Sequence, residues 1–201
     1  MTVTVAAVVE GHGEVQAVPV LLRRVAGRVR AGTTVEVPPP IRIPKSKLIK
    51  AGELERAVDL AARKAGVSGG VLVLIDADDD CPAILGPELA SRARAARSDL
   101  PVSVVLAKRE YEAWFLAAAT SLRGHRGLPR DLLAPADPEA IRGAKEWLGA
   151  RMPRGRRYAE TLDQPALTDV FNFVEARSAD SFDKCIREIE SLLRTLLNAW
   201  A

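Results

Sequence analysis

The sequence is poor in the residues that build soft metal sites and disulfide frameworks. It has two cysteines, Cys81 and Cys185, with no C-x-x-C spacing, and two histidines. Two thiols in a chain of 201 residues read as reduced, cytoplasmic residues rather than a disulfide framework, and so few His and Cys side chains argue against zinc. No apolar run is long enough to span a bilayer, and no basic stretch precedes the apolar N-terminus, so neither a membrane span nor a secretory leader is expected. A G-x-x-x-x-G-K-S/T loop is missing, and any ATP-driven step therefore needs a separate ATPase. Internal repeats and low-complexity segments are missing too. Basic and acidic residues nearly cancel at a net +3, which permits a polyanionic partner without demanding one.

What is present is an α/β pattern. With 48% hydrophobic residues the chain can bury one good core. TVTVAAVVE (2 to 10) is short and β-branched, as a strand requires. Val18, Leu21, Leu22, Val25 and Val29 then share one helical face, which places Pro19 near that helix's first turn. A second strand falls within TTVEV (33 to 37), before the PPP loop or extended edge at 38 to 40. Leu48, Leu54, Ala57, Val58, Ala61 and Ala65 read as one helix closed by Gly66. VLVLI (71 to 75) is the third strand, a helix follows near 86 to 98, and PVSVVLA (101 to 107) is the fourth strand. Four strands separated by helices predict a parallel sheet over about residues 1 to 120. The remainder, 121 to 201, reads as a helical extension packed on that core. It includes DPEAIRGAKEWL (137 to 148), with an Asp cap and Pro at the first helical position, and a last helix whose apolar face runs from Phe182 to Trp200.

In such sheets the carboxyl ends of the strands line a common crevice. Acids follow three of the predicted strands: Glu10 and Glu14 after the first, Asp76, Asp78, Asp79 and Asp80 after the third, and Glu110 and Glu112 after Lys108 and Arg109 at the end of the fourth. Oxygen donors alone suit Mg²⁺, Mn²⁺ or Ca²⁺. An EF-hand loop is excluded, because counting from Asp76 puts Cys81 at the glycine position and Pro87 at the bidentate glutamate position. Mg²⁺ or Mn²⁺ fits better. The plain alternatives are a solvated Asp-rich turn, Glu14 as a helix-dipole acid, His12 as a surface loop residue and Cys81 as a packing residue. Tyr111, Trp114, Phe115 and Ala118 fall at helical spacing and read as core rather than a base-stacking platform.

Glu10 with Gly11 on the first strand, and Asp76 with Asp78 on the third, resemble the TOPRIM family, the catalytic module of topoisomerases, DnaG-type primases and several nucleases. The Glu10-x-x-x-Glu14 spacing and Glu112 are similar to the overcoming-lysogenization-defect nucleases. VVEGHGE, LIDADDD, REYEAWFLA and RRYAETLDQPALT together resemble a bacterial family of uncharacterised TOPRIM-like proteins. The resemblance implies a TOPRIM-like, Rossmann-like sheet. It also implies one or two Mg²⁺ or Mn²⁺ ions held by Glu10, Glu14, Asp76, Asp78, Asp80 and Glu112; Asp79, in the middle of its run, is expected to point away from its neighbours. Glu10 would be a ligand or a general acid/base, and Lys108 or Arg109 would neutralise the phosphate. The expected activity is nuclease cleavage of DNA or RNA, in phage or plasmid defence with a separate ATPase, and Arg109, Arg154, Arg156 and Arg157 are the candidate nucleic-acid contacts. A non-catalytic metal- or nucleotide-binding module that regulates a partner is the alternative. A receiver-type phosphoacceptor or haloacid-type phosphatase fits less well, because their acidic pair follows the first strand.

Overall fold

The computed structural model describes residues 1–199. Its parallel sheet comprises β1 (Thr2–Val9), β2 (Thr34–Glu36), β3 (Ile41–Arg42), β4 (Gly70–Asp76) and β5 (Val102–Ala107). The α-helices are α1 (His12–Val29), α2 (Lys45–Leu48), α3 (Glu53–Ala65), α4 (Pro82–Ala96), α5 (Ala113–Ala117), α6 (Ala144–Gly149), α7 (Glu160–Val170), α8 (Phe173–Ala176) and α9 (Asp180–Asn198). The strand order is β2-β1-β4-β5. β1 runs in register with β4 from Val5 opposite Gly70 to Val9 opposite Leu74, and Val71 to Asp76 of β4 pair with Val102 to Ala107 of β5. The chain leaves β1 first toward β2 and later toward β4, so the carboxyl ends of β1 and β4 flank the point where the winding reverses. Crevices form there in sheets of this kind.

Alternation along β1 sorts its side chains between two cores. Val3, Val5, Ala7 and Val9 face a cluster with α1 and α9, whereas Ala6 and Val8 face α3 and α4. The first cluster continues through Tyr111, Trp114 and Phe115 to Phe171 and Phe182, with Tyr111 and Trp114 at 4.6 Å and Phe171 and Phe182 at 5.2 Å between ring centroids. These aromatics are buried core, as their helical spacing implies. Among the described residues, no helix is long and apolar enough to cross a membrane.

Several boundaries differ from the sequence reading. A short fifth strand, β3, pairs its Ile41 with Val8, while β2 pairs Thr34 with Thr2. The three prolines between them, which donate no hydrogen bond to a ladder, split one sheet edge into two pieces. The helix read from Leu48 to Ala65 is two helices, parted at Gly52 with φ of 78°. The segment from 137 to 148 likewise breaks. Asp137 caps its turn by accepting from Ala140 N at 3.1 Å, but Gly143 takes φ of 73° and α6 starts afresh after it. α4 begins at Pro82, a residue suited to the first helical position. Pro19 stands inside α1, about two turns from its start, because the side chain of Glu14 caps the helix earlier than the apolar pattern suggests. The last helix is α9, and Trp200 lies outside the described residues.

Candidate functional site

The end of β1 delivers Glu10 and, one turn on, Glu14. Glu14 Oε2 accepts the backbone N–H groups of Glu10 at 2.9 Å and Gly11 at 2.7 Å, which satisfies donors at the start of α1. Glu14 is thus a helix cap as well as a member of the acidic site. Gly13 is needed here, and Gly11 packs tightly. A Cβ on Gly11 would stand 3.2 Å from Glu14 Oε1, and one on Gly13 would collide with the carboxamide of Gln164 and meet the Glu160 carbonyl at 2.9 Å. Glu10 Oε1 accepts Lys45 N at 3.2 Å, whereas its Oε2 is buried without a partner. Burial raises the pKa of both glutamates. For Glu10 the charge of Asp78 adds to this, and for Glu14 the charge of Glu10.

The end of β4 delivers Asp76, which is buried and accepts Tyr111 N at 2.8 Å. Burial holds its pKa well above the usual carboxylate range, and the charges of Glu14, Glu112 and Glu10 push the same way. Asp78 and Asp80 meet a cation that is hard to anticipate from sequence. Lys45, at the start of α2, is almost fully buried and places Nζ 3.1 Å from Asp78 Oδ2 and 2.9 Å from Asp80 Oδ2, while donating to the Ala77 carbonyl. Asp80 and Asp78 raise its pKa despite its burial. Asp79 points instead to Arg109 and Arg142.

After β5, Glu112 is completely buried, whereas Glu110 stays outside and accepts Lys145 N at 3.3 Å. Glu112 Oε1 accepts Tyr158 Oη at 2.9 Å and Gln164 Nε2 at 3.3 Å, and Oε2 is buried without a partner. Burial lifts its pKa to about 7, against the downward pull of the Lys145 charge and the Tyr158 hydroxyl. Lys145, in α6, donates to Glu160 at 3.1 Å. Its pKa is raised because the charges of Glu112, Glu160 and Asp76 outweigh partial burial.

The stretch RRYAETLDQPALT acquires physical roles. Tyr158 and Gln164 hold Glu112, and buried Asp163 accepts Arg126 at 2.8 Å and Arg156 at 2.7 Å, along with the Ala159 N–H at 2.8 Å. Arg156 is therefore tied down within the protein. Arg154 and Arg157 are exposed, and neither forms an ion pair among the described residues. Lys108 is not placed to serve the acids. Its Nζ stands 3.8 Å from Glu139, its N–H goes to Ser181 Oγ at 3.0 Å, and it lines a separate cavity with Cys81 and Lys184. The cations that face the carboxylates are Lys45 and Lys145, missed because neither lies just after a predicted strand and lysine spacing carries no motif.

Oxygen donors are all that the site offers, and two of them, Glu10 Oε2 and Glu112 Oε2, are buried without a partner, which fits a hard divalent cation. In the side-chain arrangement as it stands, no three His, Cys, Asp or Glu residues among those described converge on a single cation position. No curated protein and no solved structure matches this chain. Residues 9–190, which carry every acid and lysine of the site, match the family model described as a domain of unknown function, DUF4276, and the chain therefore belongs to that family.

Proposed function

We propose that the protein is a Mg²⁺- or Mn²⁺-dependent nuclease of TOPRIM type that cleaves phosphodiester bonds in DNA or RNA. One observation carries this reading: Asp76, buried at the end of β4, lies within the electrostatic reach of Glu10, Glu14 and Glu112, which come from the ends of two other strands. Carboxylates so close disfavour one another's ionised forms unless positive charge sits among them. A divalent ion bound there would supply that charge, withdraw electrons from a phosphate oxygen and lower the pKa of attacking water.

The chain's own groups account for the rest. Asp76, Glu10 and Glu112 would hold the ion once their side chains turn toward it, with Glu14 holding the start of α1 in place beside them. Tyr158 and Gln164 fix Glu112 in one rotamer. Glu10, half-buried with a raised pKa, would be either a ligand or, through its one free oxygen, the base that takes a proton from water. Lys145, charged at any working pH, would face negative charge developing on the phosphate. Arg154 and Arg157 offer exposed charge for the nucleic-acid backbone. The two free thiols fit a cytoplasmic setting, and an ATP-driven step in phage or plasmid defence would draw on a separate ATPase.

The regulatory alternative is favoured by one specific observation. Lys45 and Lys145 already neutralise part of the acidic cluster without any metal, as a binding module or a purely structural site would require. Cleavage assays separate the two. Plasmid, single-stranded DNA and RNA are incubated with Mg²⁺ or Mn²⁺, with and without a separate ATPase. Cleavage by the wild type and none by Asp76→Asn or Glu10→Gln supports the nuclease. Intact substrates throughout, with metal bound, support the binding module.

A further inference from the structure

Beside the acidic site is a second feature built from charge of the other sign. Arg109 and Arg142 approach one another from the end of β5 and from the loop before α6, and the carboxylate between them belongs to Asp79. Arg142 Nη2 stands 2.7 Å from Asp79 Oδ1 and Nη1 3.2 Å from Oδ2, while Arg109 Nη1 bonds the same carboxylate and also the Asp78 carbonyl at 3.2 Å. The three groups border an open cavity of about 240 Å³ completed by Asp78, Glu110 and Gly143. An open cavity of this size has room for one phosphoryl group and a few waters. Its two other acids already have partners, Asp78 in Lys45 and Glu110 in the Lys145 N–H.

The backbone beneath the pair is unusual. Asp78 and Arg109 are both non-glycine residues at positive φ, 50° and 67°, and the Asp78 N–H donates to the Arg109 carbonyl at 3.0 Å. Such conformations are disfavoured for L-residues and cluster where a side chain must be aimed. Here they turn Asp78 toward Lys45 and Arg109 toward the cavity. A carboxylate shared by two guanidinium groups occupies the geometry that those groups offer a phosphate. Asp79 is 68% exposed and Arg142 70%, so their pairing is of the solvent-screened kind that a dianion can displace.

The geometry points to a phosphate clamp made by Arg109 and Arg142 and held shut, in the absence of ligand, by Asp79. The clamp rests on the nuclease reading only for the identity of its ligand, a nucleic-acid phosphate. Its binding step needs no metal.

The test is calorimetric titration of the full chain with inorganic phosphate in EDTA, for the wild type, Asp79→Asn and Arg142→Gln. Both substituted residues are exposed, and Asn keeps the shape of Asp. The expected result is affinity about fivefold tighter in Asp79→Asn, where the competing charge is gone, and about tenfold weaker in Arg142→Gln. Unchanged affinity in both variants overturns the clamp, as does weaker binding in Asp79→Asn, which would make Asp79 an organiser rather than a competitor. Oligonucleotides with a 5′-phosphate or a 5′-hydroxyl then compete with inorganic phosphate. Displacement by the first alone assigns a terminal phosphate, displacement by both assigns the backbone, and displacement by neither overturns the nucleic-acid assignment. Because metal is excluded, a protein that binds phosphate here yet never cleaves retains the clamp and loses the nuclease.

Discussion

Replacing Glu112 with Gln should stabilise the metal-free protein at pH 8 and remove its response to divalent ions. Glu112 is fully buried and its carboxyl titrates at about 7 rather than 4.5. Keeping it ionised in the folded state therefore costs about 3 kcal/mol more than in the unfolded chain. The sign follows from linkage. An acid whose pKa is higher in the folded state binds more protons there, so its contribution to stability is fully present below pH 4.5 and is lost as pH rises through about 7. The raised pKa values of Glu10, Glu14 and Asp76 act in the same direction. Those of Lys45 and Lys145 also favour the fold, but over a window that closes only at alkaline pH.

Glutamine retains an oxygen to accept from Tyr158 and Gln164 and puts an NH₂ where Glu112 Oε2 has no partner. Desolvating the carboxamide takes back part of the gain, leaving about 1–3 kcal/mol. In a chain of 201 residues that is a Tm rise of roughly 3–8 °C at pH 8 and little change at pH 5. Scanning calorimetry at the two pH values, with and without Mn²⁺, is the assay. The wild type should gain about 3 kcal/mol at a Mn²⁺ concentration a hundredfold above its Kd, and the variant nothing. A variant that loses stability at pH 8, or gains equally at both pH values, would refute the view that a buried charge dominates this position.

Three further outcomes follow from the same geometry. Gly13→Ala forces α1 away from the Gln164 carboxamide and the Glu160 carbonyl, and urea unfolding should show a loss of about 1–3 kcal/mol despite alanine's better helix propensity. Tyr158→Phe removes a hydrogen bond that lowers the Glu112 pKa, so the carboxyl titration followed by ¹³C NMR should move above 7. Arg24→Met takes away bonds to the carbonyls of Thr168 at 2.6 Å and Phe171 at 2.9 Å, and the stacking over Phe173 at 4.1 Å. Denaturation should report a loss of about 2–3 kcal/mol with no pH dependence between 5 and 8.

The fold was largely legible because parallel strands buried on both faces read as near-continuous apolar runs, and VLVLI and VVLA are such runs. β3 was not legible, since two residues beside a proline run carry no period. The breaks at Gly52 and Gly143 were hidden because each glycine falls inside a stretch whose apolar spacing and helix formers read on through it, and their positive φ shows only in the structure. At the site, sequence could place acids at strand ends, and of Glu110 and Glu112, which the resemblance alone ranked, it is Glu112 that is buried. Sequence could not place the cations. Lys108 follows a strand but turns to Glu139, whereas Lys45 and Lys145 come from the loop-rich connections, where direction is set by packing rather than by period. Tyr158 and Gln164 lie some fifty residues beyond Glu112, and only the docking of α7 on α1 brings them to it.

The central claim is that Glu10, Asp76 and Glu112 form a divalent-cation site. A crystal structure of the protein soaked in millimolar Mn²⁺, with anomalous differences recorded at the manganese edge, tests it most directly. The account predicts a peak in contact with Asp76 and with the oxygens of Glu10 and Glu112 that have no partner in the metal-free protein. A map with no peak among these three residues, with Lys45 and Lys145 still in place beside the acids, would contradict it.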